Sequence, residues 1–143
     1  MRPRMLDKIS PDMAIMEVAK TLQLSPHADG HFQTDETFAQ RLVLLGAGDL
    51  LAWQRQTAPT SWTWLGGATL ALSVSADGHD AQAFHLNDSQ KNVRVGSLFW
   101  YTCETLGYWS LVEIIWATTE QPKTEYAEPD WYPVPRHTVV ADS

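Results

Sequence analysis

A chain of 143 residues that is 44% hydrophobic and 19% charged has the composition of one globular domain with a sizeable core. Its formal net charge of −7 argues against nucleic acid or an anionic membrane as the main partner. A single cysteine, Cys103, excludes an internal disulfide framework and a cysteine-built zinc site, and no apolar run reaches the roughly 18 residues of a transmembrane helix. The basic start MRPRMLDKIS is not followed by an apolar stretch, so no signal peptide is expected and the reading is a cytoplasmic protein. The seven tryptophans stand out, at roughly three to four times ordinary usage.

Residues 1–10 read as a flexible lead-in. Ser10-Pro11-Asp12 then opens a helix, with Ser as N-cap, Pro at the first helical position and an acid in the first turn. Met13, Met16, Ala19 and Leu22 follow helical spacing, and the helix should end before Pro26. Short strands follow over Phe38 to Leu45, Leu50 to Gln56, Ser61 to Leu65, Thr69 to Ser75 and Ala81 to Leu86. Pro59 sets a turn between the second and third of these, and Ser75-Ala76-Asp77-Gly78 a hairpin before the last. Val93 to Cys103 and Tyr108 to Thr118 read as a last long pair around Leu106-Gly107. From Glu120, with Pro122, Pro129, Pro133 and Pro135, the tail reads as an extension, edge-hugging or partly disordered. One helix and then strands every 8–12 residues indicate an all-β sandwich or small barrel over residues 11–119, followed by a Pro-rich extension over 120–143.

The stretch Trp53 to Gly67, WQRQTAPTSWTWLGG, carries more than a strand signal. Alternation puts Trp62 and Trp64 on one face, and Gly66-Gly67 should end the strand. It resembles the pattern H-R-x4-E-x-W-x-F-x2-G of the DUF985 (cupin_5) branch of the cupin superfamily. Arg55, Trp62 and Gly67 match, Trp64 is an aromatic swap, Gln54 stands for His and Thr60 for Glu. Leu24 to Asp35 resembles the same family's L-x-P-H-P-E-G-G-Y-F-R-E-T through Pro26, His27, Gly30 and Phe32, with His31 at the Tyr position and Gln33 replacing Arg. The resemblance implies a cupin-type double-stranded β-helix (jelly-roll) barrel with one short N-terminal helix, and a divergent member of that branch. It also implies a homodimer. The metal ligands that cupins usually carry would fall near Ala52, Gln54, Thr60 and Trp100, none of them a usual ligand, so a site with no metal and no cofactor is expected.

The expected interior is aromatic with a few polar heads. Trp62, Trp64 and Trp100 would line it with Gln54, Arg55 and Thr60 as ligand contacts. Alternation sets Trp100, Thr102 and Glu104 on one face of their strand and Phe99, Tyr101 and Cys103 on the other. Glu113 stands in the apolar run LVEIIW, where it is either a pocket acid or an edge or dimer-facing charge paired with Arg55 or Arg94. Glu113, His31, Glu104 and Tyr101 are the titratable candidates for acid–base catalysis. Three functions fit. One is a metal-free cupin that binds a small, partly aromatic or planar metabolite and performs non-redox proton transfer of the epimerase, isomerase, dehydratase or cyclase type. Another is a non-catalytic small-molecule binder that protects an intermediate or assists a partner enzyme. The third is a structural dimer module.

Overall fold

The computed structural model describes residues 6, 8–27, 31–34, 39–49, 51–127 and 134–139. Residues 1–5 of the expected lead-in, Gly30, Phe38, Leu50, Pro129 and Pro133 lie outside these. Among the described residues the helix α1 (Ile15–Thr21) precedes the strands β1 (Ser25–Pro26), β2 (Phe32–Gln33), β3 (Gln40–Gly46), β4 (Gln54–Gln56), β5 (Thr60–Gly67) and β6 (Leu70–Ser75). They continue as β7 (Asp80–Leu86), β8 (Asn92–Val95), β9 (Trp100–Thr105), β10 (Trp109–Trp116), β11 (Thr124–Tyr126) and β12 (Val134–Val139). Two six-stranded sheets result, in the orders β1-β2-β3-β10-β5-β8 and β11-β4-β9-β6-β7-β12. Pairing is antiparallel except between β12 and β7.

The two sheets close over one core. Val43, Leu45, Trp62, Val112 and Ile114 from the first meet Leu70, Leu72, Leu86, Tyr101 and Cys103 from the second. A second cluster lies outside the first sheet, where Val18 and Ala19 of α1 and Leu22 at its C-cap cover Leu42, Leu44, Trp109 and Leu111. β3 and β10 are thus buried on both faces, which is why RLVLLG and WSLVEIIW run apolar without alternating.

Several sequence expectations are corrected by the pairing. The helix starts at Ile15, not at Ser10, and its N-cap Ala14 makes no side-chain cap bond. Ser10 to Met13 form a turn instead, closed by Met13 N–H donating to the Ser10 carbonyl at 3.0 Å. The Met13 carbonyl takes the indole N–H of buried Trp109 at 2.7 Å, a tertiary bond that helical continuation would compete for. At the other end Gln23 adopts φ +57° in a Schellman cap, with Leu24 N–H on the Ala19 carbonyl at 2.8 Å.

The Pro59 turn does not make a hairpin, because β4 belongs to the second sheet and β5 to the first. Nor is Val93 to Cys103 one strand. A corner at Gly96–Phe99, with Leu98 at φ +64°, divides it into β8 and β9 on different sheets. β9 and β10 do not pair either: β9 lies between β4 and β6, and β10 between β3 and β5. Only the β6–β7 hairpin pairs as read, and there Gly78 alone supplies the positive φ while Asp77 accepts from the His79 and Asp80 amides. β5 runs on through Gly66 to Gly67, with Leu65 as an extra residue opposite the Leu111/Val112 step. The tail does hug edges, since β11 and β12 form the two outer strands of the second sheet. Among the described residues no helix is long and apolar enough to cross a membrane.

Candidate functional site

A cavity of about 440 Å³ opens at one end of the barrel, within the range of small-molecule sites. Both sheets and the tail build it. β3 sends in Arg41 on the same alternation that buries Val43 and Leu45, and β4 sends in Gln54 and Gln56 two residues apart. Trp116 closes β10, Gln33 comes from β2, and Gln121, Thr124 and Tyr126 of the tail supply the outer rim. A recess of about 60 Å³ continues inward to Val43, Leu51, Ile114, Trp62 and Tyr101. The lining thus mixes glutamine amides and imidazoles with the rings of Trp62, Tyr101, Trp116 and Tyr126; of the tryptophans expected from the sequence, Trp62 contributes to it.

The polar groups are ordered by one indole. Trp116 Nε1 only donates, and it donates to Gln56 Oε1. The Gln56 amide nitrogen then faces Gln54 and donates to its Oε1 at 3.5 Å. The Gln54 nitrogen in turn donates to the Ala52 carbonyl at 3.1 Å. Tyr101 adds a second donor to Gln54 Oε1 at 3.4 Å, and burial pushes its phenol well above the usual tyrosine pKa. Gln54 and Gln56 are 8% and 6% exposed, so these bonds are shielded from competing water. Arg41 lies over the Trp116 ring, 5.0 Å from its centroid.

On the other wall His31, buried, stacks on His27 at 4.7 Å between ring centroids. His31 Nε2 lies 2.9 Å from Gln33 Oε1, a hydrogen bond whose direction follows the ring's tautomer.

Of the residues named from the sequence, the cavity brings together His31, Gln54, Trp62 and Tyr101. Trp62 is fully buried, edge-on to Tyr101 at 5.4 Å, with its N–H held by Thr60 Oγ1 at 3.0 Å. Thr60 is thus a support for Trp62 and does not line the cavity. Trp64 packs on the same core but also stays off the lining, its N–H on the Ala68 carbonyl at 2.9 Å. Trp100 and Glu104 share a face as expected, but it is the outer one, since Tyr101 and Cys103 take the inner. Arg55 alternates outward from Gln54, stacks on Trp100 at 4.7 Å and pairs with Glu125 at 2.8 Å. Glu113 is on the outer face of β10 with Trp109 and Leu111, where Gln40 donates to it; it is not a pocket acid, and Arg55 is committed elsewhere.

Sequence reasoning missed Gln56, Arg41, Trp116 and Tyr126. The Q-x-Q spacing and the Arg41–Val43–Leu45 alternation were available as signals. Tyr126 had none, because only the β11–β4 pairing brings it to Gln54.

No family model matches the chain, and no curated protein does. Solved structures do. A protein from Shewanella oneidensis superposes with a TM-score of 0.68 at 17% identity, over 81% of this chain and 85% of that one. The DMSP lyase DddQ from Ruegeria pomeroyi gives 0.58 at 12% identity, over 89% and 76%. Bacillus subtilis oxalate decarboxylase OxdC gives 0.57 at 16% identity, over 73% of this chain and 30% of that one. The fold is that of the cupins. At these identities the likeness carries the fold alone.

The usual cupin metal does not fit the residues present. Of the four positions that the motif sets against the metal ligands, Ala52 has no donor side chain and Trp100 points outward under Arg55. Gln54 and Thr60 offer a neutral amide and hydroxyl that already serve Tyr101, Gln56 and Trp62. Divalent sites need converging imidazole, carboxylate or thiolate donors. Among the described residues no three such groups cluster.

Proposed function

We propose that this protein is a small-molecule-binding cupin that takes a polar metabolite into the barrel mouth without a metal. The observation that carries this reading is the cavity of about 440 Å³ whose amide lining is held in one hydrogen-bonded order from Trp116 to Ala52. Order of that kind is what a specific polar site needs, because misdirected amides lose a ligand's hydrogen bonds. Native mass spectrometry and tryptophan emission against a metabolite panel test this. A ligand that shifts emission, with affinity lost in Gln56→Ala, supports the reading; a panel without binders overturns it.

A second reading, proton-transfer catalysis of the isomerase type, is favoured by the stacked His27 and His31 beside Gln33. Turnover of the bound compound that disappears in His31→Ala, with folding and binding retained, would establish it. We also propose membership of the DUF985 branch as a divergent member. Gly67, one of its matching positions, supports this by a structural need. It sits at φ +89°, and a Cβ there would come within 2.4 Å of the Trp109 carbonyl.

A further inference from the structure

Glutamine recurs around the cavity: Gln33, Gln54, Gln56 and, at the exposed rim, Gln121 all line it. A primary amide is uncharged and offers two N–H donors and two acceptor lone pairs. The bonds within the protein use only part of that capacity. Gln56 accepts from Trp116 and donates to Gln54, which leaves it one lone pair and one N–H. Gln54 accepts from Tyr101 and Gln56 and donates to the Ala52 carbonyl, which leaves it one N–H. Gln33 bonds His31 through one amide atom, and in either sense of that amide it keeps both an N–H and a lone pair. Gln54 and Gln56 are buried two residues apart on one side of β4, so the strand itself fixes this mixed set. An occupant that answers donors and acceptors together leaves fewer of them unmet than one that answers a single kind.

We propose that the cavity's ligand is a neutral, flat ring with a cis-amide edge, an N–H beside a C=O, as in a lactam, a cyclic imide or a pyrimidine base. This rests on the reading that the cavity binds a small molecule at all. Such an edge donates and accepts side by side, which is the complement of an amide that keeps one N–H and one lone pair. A carboxylate only accepts, and an N-alkylated ring of the same outline has lost its donor, so each leaves a glutamine oxygen unanswered. A site built to bond a donor rejects the analogue that lacks it. The rings of Trp116 and Tyr126 in the same lining give a flat ring aromatic surface to pack on.

The test is calorimetric titration of the full chain with uracil, 1,3-dimethyluracil and benzoate, beside the metabolite panel. Uracil carries the amide edge, its dimethyl derivative keeps the ring and the oxygens without an N–H, and benzoate is a flat acceptor-only anion. Uracil should bind at least about tenfold tighter than either, the scale of leaving one buried acceptor unmet. Gln56→Met, which keeps the length of the side chain and removes its donor and acceptor together, should bring the three probes within about threefold of one another. If dimethyluracil or benzoate binds as well as uracil, or if the panel compounds that bind carry no cis-amide edge, the assignment is overturned while the binding function stands. If neither the probes nor any panel compound binds, both fall. The probe comparison is made on the unaltered protein, so it decides the matter whether or not Gln56→Met folds.

Discussion

Trp116 sets the chemistry of the cavity through a single proton. Its indole N–H orients Gln56, and through it Gln54, so one aromatic side chain fixes which way two buried amides present themselves. Trp116→Phe removes that donor and leaves a buried carbonyl oxygen short of a partner, a loss of about 1–3 kcal/mol. Urea unfolding should show the midpoint fall at unchanged slope; an unshifted midpoint would mean the amide chain contributes nothing to stability. Tyr101 gives a pH signature. Its pKa is raised in the folded state chiefly by burial, with Cys103 and Tyr126 adding to it. The unfolded phenol loses its proton near pH 10, the folded one only well above that, so above pH 10 the unfolded state binds fewer protons. Stability is therefore complete below about pH 10 and declines as pH rises beyond it. Spectrophotometric titration should find one tyrosine silent until the fold opens, and Tyr101→Phe should remove that late step. Arg55, by contrast, is a surface residue here: with side chains 33% and 58% exposed, its pair with Glu125 is screened. Arg55→Gln should cost under about 1 kcal/mol and leave ligand affinity unchanged.

At the scale of elements, β5 shows how much of a strand's behaviour is decided by what crosses it. Gly66 and Gly67 look alike in sequence, but Gly66 has open space where a Cβ would be and Gly67 has Trp109. Gly67→Ala combines a strained positive φ with a clash at 2.4 Å against backbone, and should lose at least about 2 kcal/mol. Gly66→Ala should stay within about 0.5 kcal/mol or gain slightly, because alanine restricts the unfolded chain without straining this strand. Thermal denaturation of the two variants side by side separates them; equal melting points would contradict the crowding at Trp109. The same logic explains the helix. Ser10-Pro11-Asp12 has the chemistry of a helix start, but Trp109 claims the Met13 carbonyl and the helix begins only at Ile15.

For the whole molecule, the site exists because distant segments converge on one end of the barrel. β2, β3, β4 and β10 bring the amides, the guanidinium and the indole, and the tail returns along β4 to add Tyr126. Tyr126 is 64% exposed, so Tyr126→Ala should leave the melting temperature nearly unchanged yet weaken ligand binding several-fold by opening the rim. Unaltered affinity would remove the tail from the site. What the amino-acid sequence settled alone was local: the all-β succession of short strands, the β6–β7 hairpin, the shared faces of Trp62 with Trp64 and of Trp100 with Glu104, and the likeness of two short motifs to cupins. Period-two alternation fixes which side chains share a face, but it does not say whether that face is inner or outer. Only the tertiary structure decided that, by pairing β9 with β4 and β6 and so turning Tyr101 inward and Trp100 and Glu104 outward. Glu113 was decided in the same way, when α1 covered the neighbouring Trp109 and Leu111 and left its face outside the barrel. Pairing partners are chosen by the burial of whole faces across long loops, and that energy resides in no single stretch of the chain.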